Sequence, residues 1–295
     1  MNLALGIDLG GSNLRLGIVS TQGEVHELHV EPIDSTLSGG ELVSLIAARA
    51  RGLKDFAKIR GAGVGLSACV LKGGVLEVGM TTLAGLGGFP FVERLSSLIK
   101  QPCWIDNDAN LALLGEARFG AARGASNVLL LTLGTGIGGG LLLDGQVHHG
   151  THSSGSEIGQ GMVPSATLGY RSLEELASPG AMMRRLGDPR GLLFERAAAG
   201  DGQARQLIAE MYELLGLSIA NAHVLLDLEL VLLAGGLAHS GTVLRDGVQA
   251  AFERICPVHL QFGLQIELAA LPPEAGGVIG AACLMFEEAG LMPAL

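Results

Sequence analysis

Two stretches of this chain set bare backbone between apolar runs: GIDLGGSNLRLGIVS from Gly6 to Ser20, and LTLGTGIGGGLLLDG from Leu131 to Gly145. A glycine-rich turn between two strands presents successive N–H groups that form a concave anion site, and glycine lets phosphate oxygens come close. Ser12 and Thr135 stand where each turn gains a hydroxyl donor. Asp8, just before the first turn, is placed to hold Mg²⁺ through water, because Mg²⁺ keeps much of its hydration shell. The alternative for Asp8 is a turn-stabilising role on backbone N–H groups. A third stretch, PCWIDNDAN, puts Asp106, Asn107 and Asp108 between an apolar strand and a helix. One of the three caps that helix. A carboxylate there is held ionised by the helix dipole and is able to accept a proton from a hydroxyl during phosphoryl transfer.

Gly134, Gly136 and Gly139 formally satisfy G-x-G-x-x-G. A dinucleotide fingerprint requires a helix directly after the glycines. Here Leu141, Leu142 and Leu143 follow, then Asp144-Gly145, which closes a hairpin strand. The turn therefore belongs to a strand pair.

The elements that carry these turns recur. The first third reads strand, strand, strand (LALGIDL, LRLGIV, EVHELHVE), helix (Gly39 to Arg51), strand (AGVGLSACV), helix (FVERLSSLIK), strand (PCWIDND) and helix (ANLALLGEARFG). The later part repeats the order with NVLLLTLG, GGGLLLDG and QVHHG as strands. A helical stretch then runs with breaks from Ser172 through HVLL, followed by ELVLLAGG (strand), TVLRDGVQAAFERI (helix), LQIELAAL (strand) and GGVIGAACLMFEEAG (helix). The expected division is a small domain of residues 1–119 with 275–295, and a large domain of residues 120–274.

Composition narrows the class. The 295 residues are 48% hydrophobic and 16% charged, which is globular. Forty-six glycines is about twice the usual share, so tight turns and close backbone approach must recur. A net charge of −10 without a Lys/Arg cluster argues against nucleic acid. The N-terminus has no signal-peptide pattern and no membrane span, so a cytoplasmic protein is expected. Cys69, Cys103, Cys256 and Cys283 are far apart with no C-x-x-C pair and are expected to be buried apolar residues. His148, His149 and His152 (HHGTH) read as a solvated hairpin end, with His152 near the ligand, rather than as a metal site.

The ordered set GIDLGGSN, WIDNDAN, LTLGTGIGGG, GSEIGQ and LLAGGLAH resembles the ROK family (repressor, open reading frame, kinase) of the sugar kinase and actin-like ATPase superfamily, bacterial glucokinases most of all. The resemblance spans nearly the whole chain. It implies an α/β, actin-like ATPase (ribonuclease H-like) duplicated fold with two domains around a cleft, and an ATP- and Mg²⁺-dependent transfer of phosphate to glucose or a related hexose. It assigns Gly10, Gly11, Ser12 and Asn13 to a first phosphate loop with Asp8 as the magnesium-associated acid. Gly134, Thr135 and Gly136 fall in a second phosphate loop, and Gly235 and Gly236 in the adenosine segment. Asn107 matches a sugar-binding Asn and Asp108 the catalytic base, which also meets the sugar. Glu157 and Glu174 match sugar-binding glutamates. The partners implied are a sugar and a nucleotide, within a homodimer.

The chain departs from that pattern on the sugar side. Gln160 replaces the family's His, and the segment GSEIGQGMVPSATLGYRSLEE has none of the cysteines of the family's zinc loop, so no structural zinc is expected. Gln160 still donates and accepts hydrogen bonds. Ser67-Ala68-Cys69 stands where a Gly-Pro-rich turn is usual, and Thr82 where an Asn is usual. Other readings are an N-acetylhexosamine, N-acetylmannosamine or fructose kinase, a degenerate sugar-responsive regulator, or an actin-like ATPase; the motif around Glu157 speaks against the last.

Overall fold

The computed structural model describes residues 1–71, 75–76, 86–165, 169–188 and 192–295, and divides into two compact units. The first comprises Met1–Gly124, Gln146–Gly155 and Ala270–Leu295; the second comprises Ala125–Gly145 and Ser156–Ala269.

The first unit holds β1 (Leu3–Leu9), β2 (Asn13–Ser20), β3 (Val25–Pro32), α1 (Gly39–Gly52), β4 (Ile59–Leu66), the two-residue strands β5 (Val70–Leu71) and β6 (Val75–Leu76), α2 (Phe91–Ile99), β7 (Cys103–Asn107) and α3 (Asp108–Phe119). Its main sheet runs β3-β2-β1-β4-β7, with β1 antiparallel to β2 and parallel to β4. Strands β1 and β4 are apolar along almost their whole length, which marks strands buried on both faces. Leu5, Ile7, Val64 and Leu66 join Leu42 and Ile46 of α1 and Phe91 and Leu95 of α2 in one core. The opposite layer is the closing helix, α9 (Gly276–Glu288), packed with Leu111 and Leu114 of α3. That helix lies hard against the sheet: a Cβ on Gly63 would fall 1.7 Å from the Ala281 carbonyl oxygen.

The second unit repeats the plan. It holds β8 (Val128–Leu133) and β9 (Ile137–Leu143), and then, after the two-residue β10 (Gln146–Val147) in the first unit's segment, β11 (Met162–Ser165), β12 (Gly169–Ser172), α4 (Leu173–Ala177), α5 (Pro179–Leu186), α6 (Leu193–Ala198), α7 (Gly202–Leu226), β13 (Leu230–Ala234), α8 (Thr242–Ile255) and β14 (Gln265–Leu268). In the sheet order β9-β8-β13-β14, β8 is antiparallel to β9 and parallel to β13, as β1 is to β2 and β4. Leu129, Leu131, Leu133 and Val231 pack with Leu207, Met211 and Leu215 of α7 and Phe252 of α8.

Two differences from the sequence reading stand out. The antiparallel pair β11–β12 was not foreseen: its strands are four residues long, contain Pro, Gly and Ser, and bury Val163 and Ser172 alone. Residues 146–155, read as part of the second half, pack within the first unit.

Candidate functional site

In the first unit, β1 delivers the chain to the turn Gly10–Ser12, which a hydrogen bond from the Gly10 N–H to the Asn13 carbonyl closes at 3.1 Å. Gly11 and Ser12 are exposed at its tip. Asp8 faces its register partner Arg15, whose Nη1 donates to Asp8 Oδ2 at 3.0 Å. Burial pushes the Asp8 carboxyl above the ordinary aspartate range and Arg15 opposes that shift. A desolvated carboxylate compensated by a single cation gains from further positive charge nearby. The residues present therefore fit a water-mediated Mg²⁺ at Asp8, whereas no group of three His, Cys, Asp or Glu suited to direct chelation occurs among the described residues.

At the end of β7, Asn107 is the cap of α3: its Oδ1 accepts the N–H groups of Ala109 at 2.8 Å and Asn110 at 3.3 Å. Its Nδ2 donates to the Ala68 carbonyl at 3.2 Å, leaving one amide hydrogen uncommitted to these bonds. Asp108 follows in the first turn, where the dipole favours negative charge, and its Oδ1 takes the Ala109 N–H at 3.0 Å. The buried Asp106 uses both oxygens: Oδ1 accepts from the Asn107 N–H (2.7 Å) and Asn110 Nδ2 (3.2 Å), and Oδ2 meets His149 Nε2 at 2.7 Å. His149 is thus no free member of a solvated hairpin end, because a buried carboxylate holds it. Cys69 is buried, as are the other three cysteines, and its Sγ donates to the Ser153 carbonyl at 3.3 Å. Thr82 lies outside the described residues.

In the second unit, the β8–β9 turn is closed by the Gly134 N–H on the Gly136 carbonyl at 3.0 Å. A Cβ added at Gly134 would meet nothing within 4 Å, so the chain's own packing does not require glycine there, and the bare backbone faces open space. Gly136 differs, because a Cβ would fall 2.2 Å from Glu174 Oε2. That oxygen accepts the Ile137 N–H at 2.8 Å. Glu174 is delivered there by the Ser172–Glu175 capping box, which starts α4 directly at the end of β12. Glu157 is held above the ordinary glutamate range by burial and then by the charge of Glu174. Gln160 ends the short turn Ile158–Gln160 and is exposed. Between Glu157 and Glu174 the chain has no Cys and no His, so this donor set does not fit the zinc of the family's loop. The β11–β12 pair occupies the segment, with Val163 buried beneath it and the Leu173 N–H on the Gly161 carbonyl at 2.8 Å.

Gly235 ends β13 at a φ of +85°, and a Cβ there would strike the Leu133 backbone at 2.7 Å. Gly236 opens instead into a cavity of about 690 Å³, whose lining includes Gly134, Thr135, Met183, Phe194 and Leu237. A second cavity of about 370 Å³ shares Thr135 and Met183 and is lined by Arg184, an exposed cation that makes no ion pair among the described residues. Met183, Phe194 and Arg184 escaped the sequence reading because α5 and α6 show ordinary helical patterns.

Two units built on one strand order, each with a glycine turn beside its first strand, define an α/β protein of the actin-like ATPase fold. The match to the ROK family extends over residues 4–288, and the chain belongs to that family. It is 30% identical to a glucokinase of Halalkalibacterium halodurans across 98% of this chain and 96% of that one. It is 27% identical to an N-acetylmannosamine kinase of Shigella boydii across 79% and 82% of the two chains. Its fold superposes on a ROK family glucokinase from Streptomyces griseus, solved with glucose and AMPPNP, with a TM-score of 0.83 at 25% identity, covering 96% and 99% of the chains. Among the described residues no helix is long and apolar enough to cross a membrane.

Proposed function

We infer that the protein is an ATP-dependent sugar kinase that moves the γ-phosphate of ATP to a hexose hydroxyl, with the 6-hydroxyl of glucose as the preferred acceptor. The observation that carries the reading is the cavity of about 690 Å³ whose lining joins a phosphate-type turn, Gly134 and Thr135, to apolar Met183, Phe194 and Leu237. Its size is that of a small-molecule site, and its lining suits a nucleoside with its phosphates at Gly134–Gly136. The solved relative holding glucose and AMPPNP supports the same pairing of ligands.

Catalysis in such a site is positioning and charge neutralisation. Asp108 takes the proton of the attacking hydroxyl as the oxygen reaches phosphorus. Asn107 offers its remaining amide hydrogen to the sugar, and Glu157, Gln160 and Glu174 bond further hydroxyls. The N–H groups of Gly11 and Ser12 in the turn Gly10–Asn13, and of Thr135 and Gly136 in the turn Gly134–Gly136, meet phosphate oxygens, with Gly235 and Gly236 beside the adenosine. Mg²⁺, when bound at Asp8 through water, neutralises charge on the phosphates.

An N-acetylmannosamine kinase is the second reading, favoured by the relative of that name and by Gln160, which alters the sugar side. The test is ADP release with Mg-ATP and glucose, mannose, fructose, N-acetylglucosamine or N-acetylmannosamine. Glucose is expected to stimulate most, and Asp108→Asn to lower kcat by about 10²- to 10⁴-fold. ADP release that no sugar stimulates would overturn the reading; stimulation by N-acetylmannosamine alone would select the second.

A further inference from the structure

His149 of the HHGTH cluster makes a short contact to a buried acid, and nothing in the reaction above uses it. Its partner Asp106 is 8% exposed and stands two residues before Asp108. Both Asp106 oxygens are engaged, by three groups on two stretches of chain: the Asn107 N–H and Asn110 Nδ2 at the start of α3, and His149 Nε2 in the segment 146–155. Of these donors only His149 is able to bring positive charge. The bond to Asp106, and less so the Val147 backbone, hold the His149 ring above the ordinary imidazole range against the opposing effect of its burial.

The same segment is pinned again a few residues on. The Gly155 N–H returns to the His149 carbonyl at 2.9 Å, and the Ser153 carbonyl takes the Cys69 thiol at 3.3 Å. Cys69 follows Ala68, whose carbonyl holds the Asn107 amide at 3.2 Å. Asp106, Asn107 and residues 68–69 therefore form one hydrogen-bonded platform under the first turn of α3, and His149 closes it on the Asp106 side.

We propose that His149 is a positioning residue: by donating to Asp106 it fixes the Asn107 backbone and the first turn of α3, and so the aim of the Asp108 carboxylate. The proposal rests on the reading of Asp108 as the base. Without the ring, Asp106 loses the partner of its Oδ2 and is free to rotate away from the Asn107 N–H, and Asp108 moves with that backbone. A displacement of about 1 Å in a catalytic group costs on the order of 100-fold in rate. A glutamine at position 149 carries an amide N–H at the same remove from the backbone as Nε2 and restores the bond without the charge.

The experiment compares His149→Ala, His149→Gln and Asp106→Asn in the full chain, with the sugar that stimulates ADP release, measuring kcat, both KM values and the unfolding midpoint. His149→Ala is expected to lower kcat about 10- to 100-fold with KM for ATP within about twofold, because its contacts lie in the first unit and the nucleotide cavity in the second. His149→Gln should recover most of the loss, and Asp106→Asn should resemble His149→Ala. A His149→Ala kcat within twofold of wild type overturns the proposal, as does equal loss in the Ala and Gln variants, or a lowered midpoint with kcat per folded molecule unchanged. If Asp108→Asn leaves turnover intact, the base assignment fails instead, which separates the two failures.

Discussion

Replacing Gly134 by alanine separates the two reasons a chain keeps a glycine, room for itself and room for a ligand. A Cβ at this position meets no atom within 4 Å, and Gly134 does not have a positive φ. Alanine therefore introduces no clash in the ligand-free protein, and the narrower unfolded ensemble adds about 0.4–1 kcal/mol of stability. The cost falls on the liganded state. The methyl group occupies space from which a phosphate oxygen would accept the turn's N–H groups, and a hydrogen bond to a charged group contributes about 1.5–3 kcal/mol. Losing one such bond weakens Mg-ATP binding by roughly 10- to 150-fold. Calorimetric titration with Mg-ATP, set beside thermal unfolding of the ligand-free variant, reads both effects. Unchanged affinity at unchanged stability would refute the assignment of this turn to phosphate, and a lowered midpoint would show that the glycine serves the fold.

Two further outcomes follow from the neighbouring geometry. Gly136→Ala puts a methyl group 2.2 Å from Glu174 Oε2, so the carboxylate must leave the Ile137 N–H; urea denaturation should show a loss of about 1–3 kcal/mol, and a change under about 0.5 would mean the contact contributes nothing. Glu157→Gln should stabilise the ligand-free protein at pH 7–8 while weakening sugar binding. The Glu157 carboxyl is raised above its ordinary 4.5 by burial and by Glu174, so its ionised form opposes folding. That penalty is complete above the folded pKa, declines as pH falls through it, and is gone below the unfolded value. The variant's advantage in unfolding midpoint should therefore shrink toward pH 4, and an advantage that persists or grows there would contradict the electrostatic cause.

Most of the elements were legible because periodicity records burial. Strand β1, LALGIDL, is apolar on both faces since layers cover both, and the run from Gly202 to Leu226 carries the helical spacing of the face that packs on β8 and β13. The pair β11–β12 carried no such signal, since Val163 is its one buried apolar side chain. Glu174 was legible as an acid in SLEE, but its hold on the Ile137 N–H was not: the two are 37 residues apart and meet only because Ser172 starts a helix at the end of β12.

The sequence by itself determined the strand and helix order, the two glycine turns, the acid at the end of β7 and the family to which the chain belongs, because each of these is written in local spacing or in an ordered set of motifs. Tertiary structure alone decided that His149 is clasped by a buried Asp106, that Asn107 is committed to capping α3, that Arg184 lines a cavity beside Thr135, and that a Cβ finds room at Gly134 but a carboxylate oxygen at Gly136. The physical reason is one of range. Propensity and periodicity act over a few neighbouring residues, whereas the charge balance of a buried carboxylate and the space in front of a backbone N–H depend on what the folded chain brings alongside.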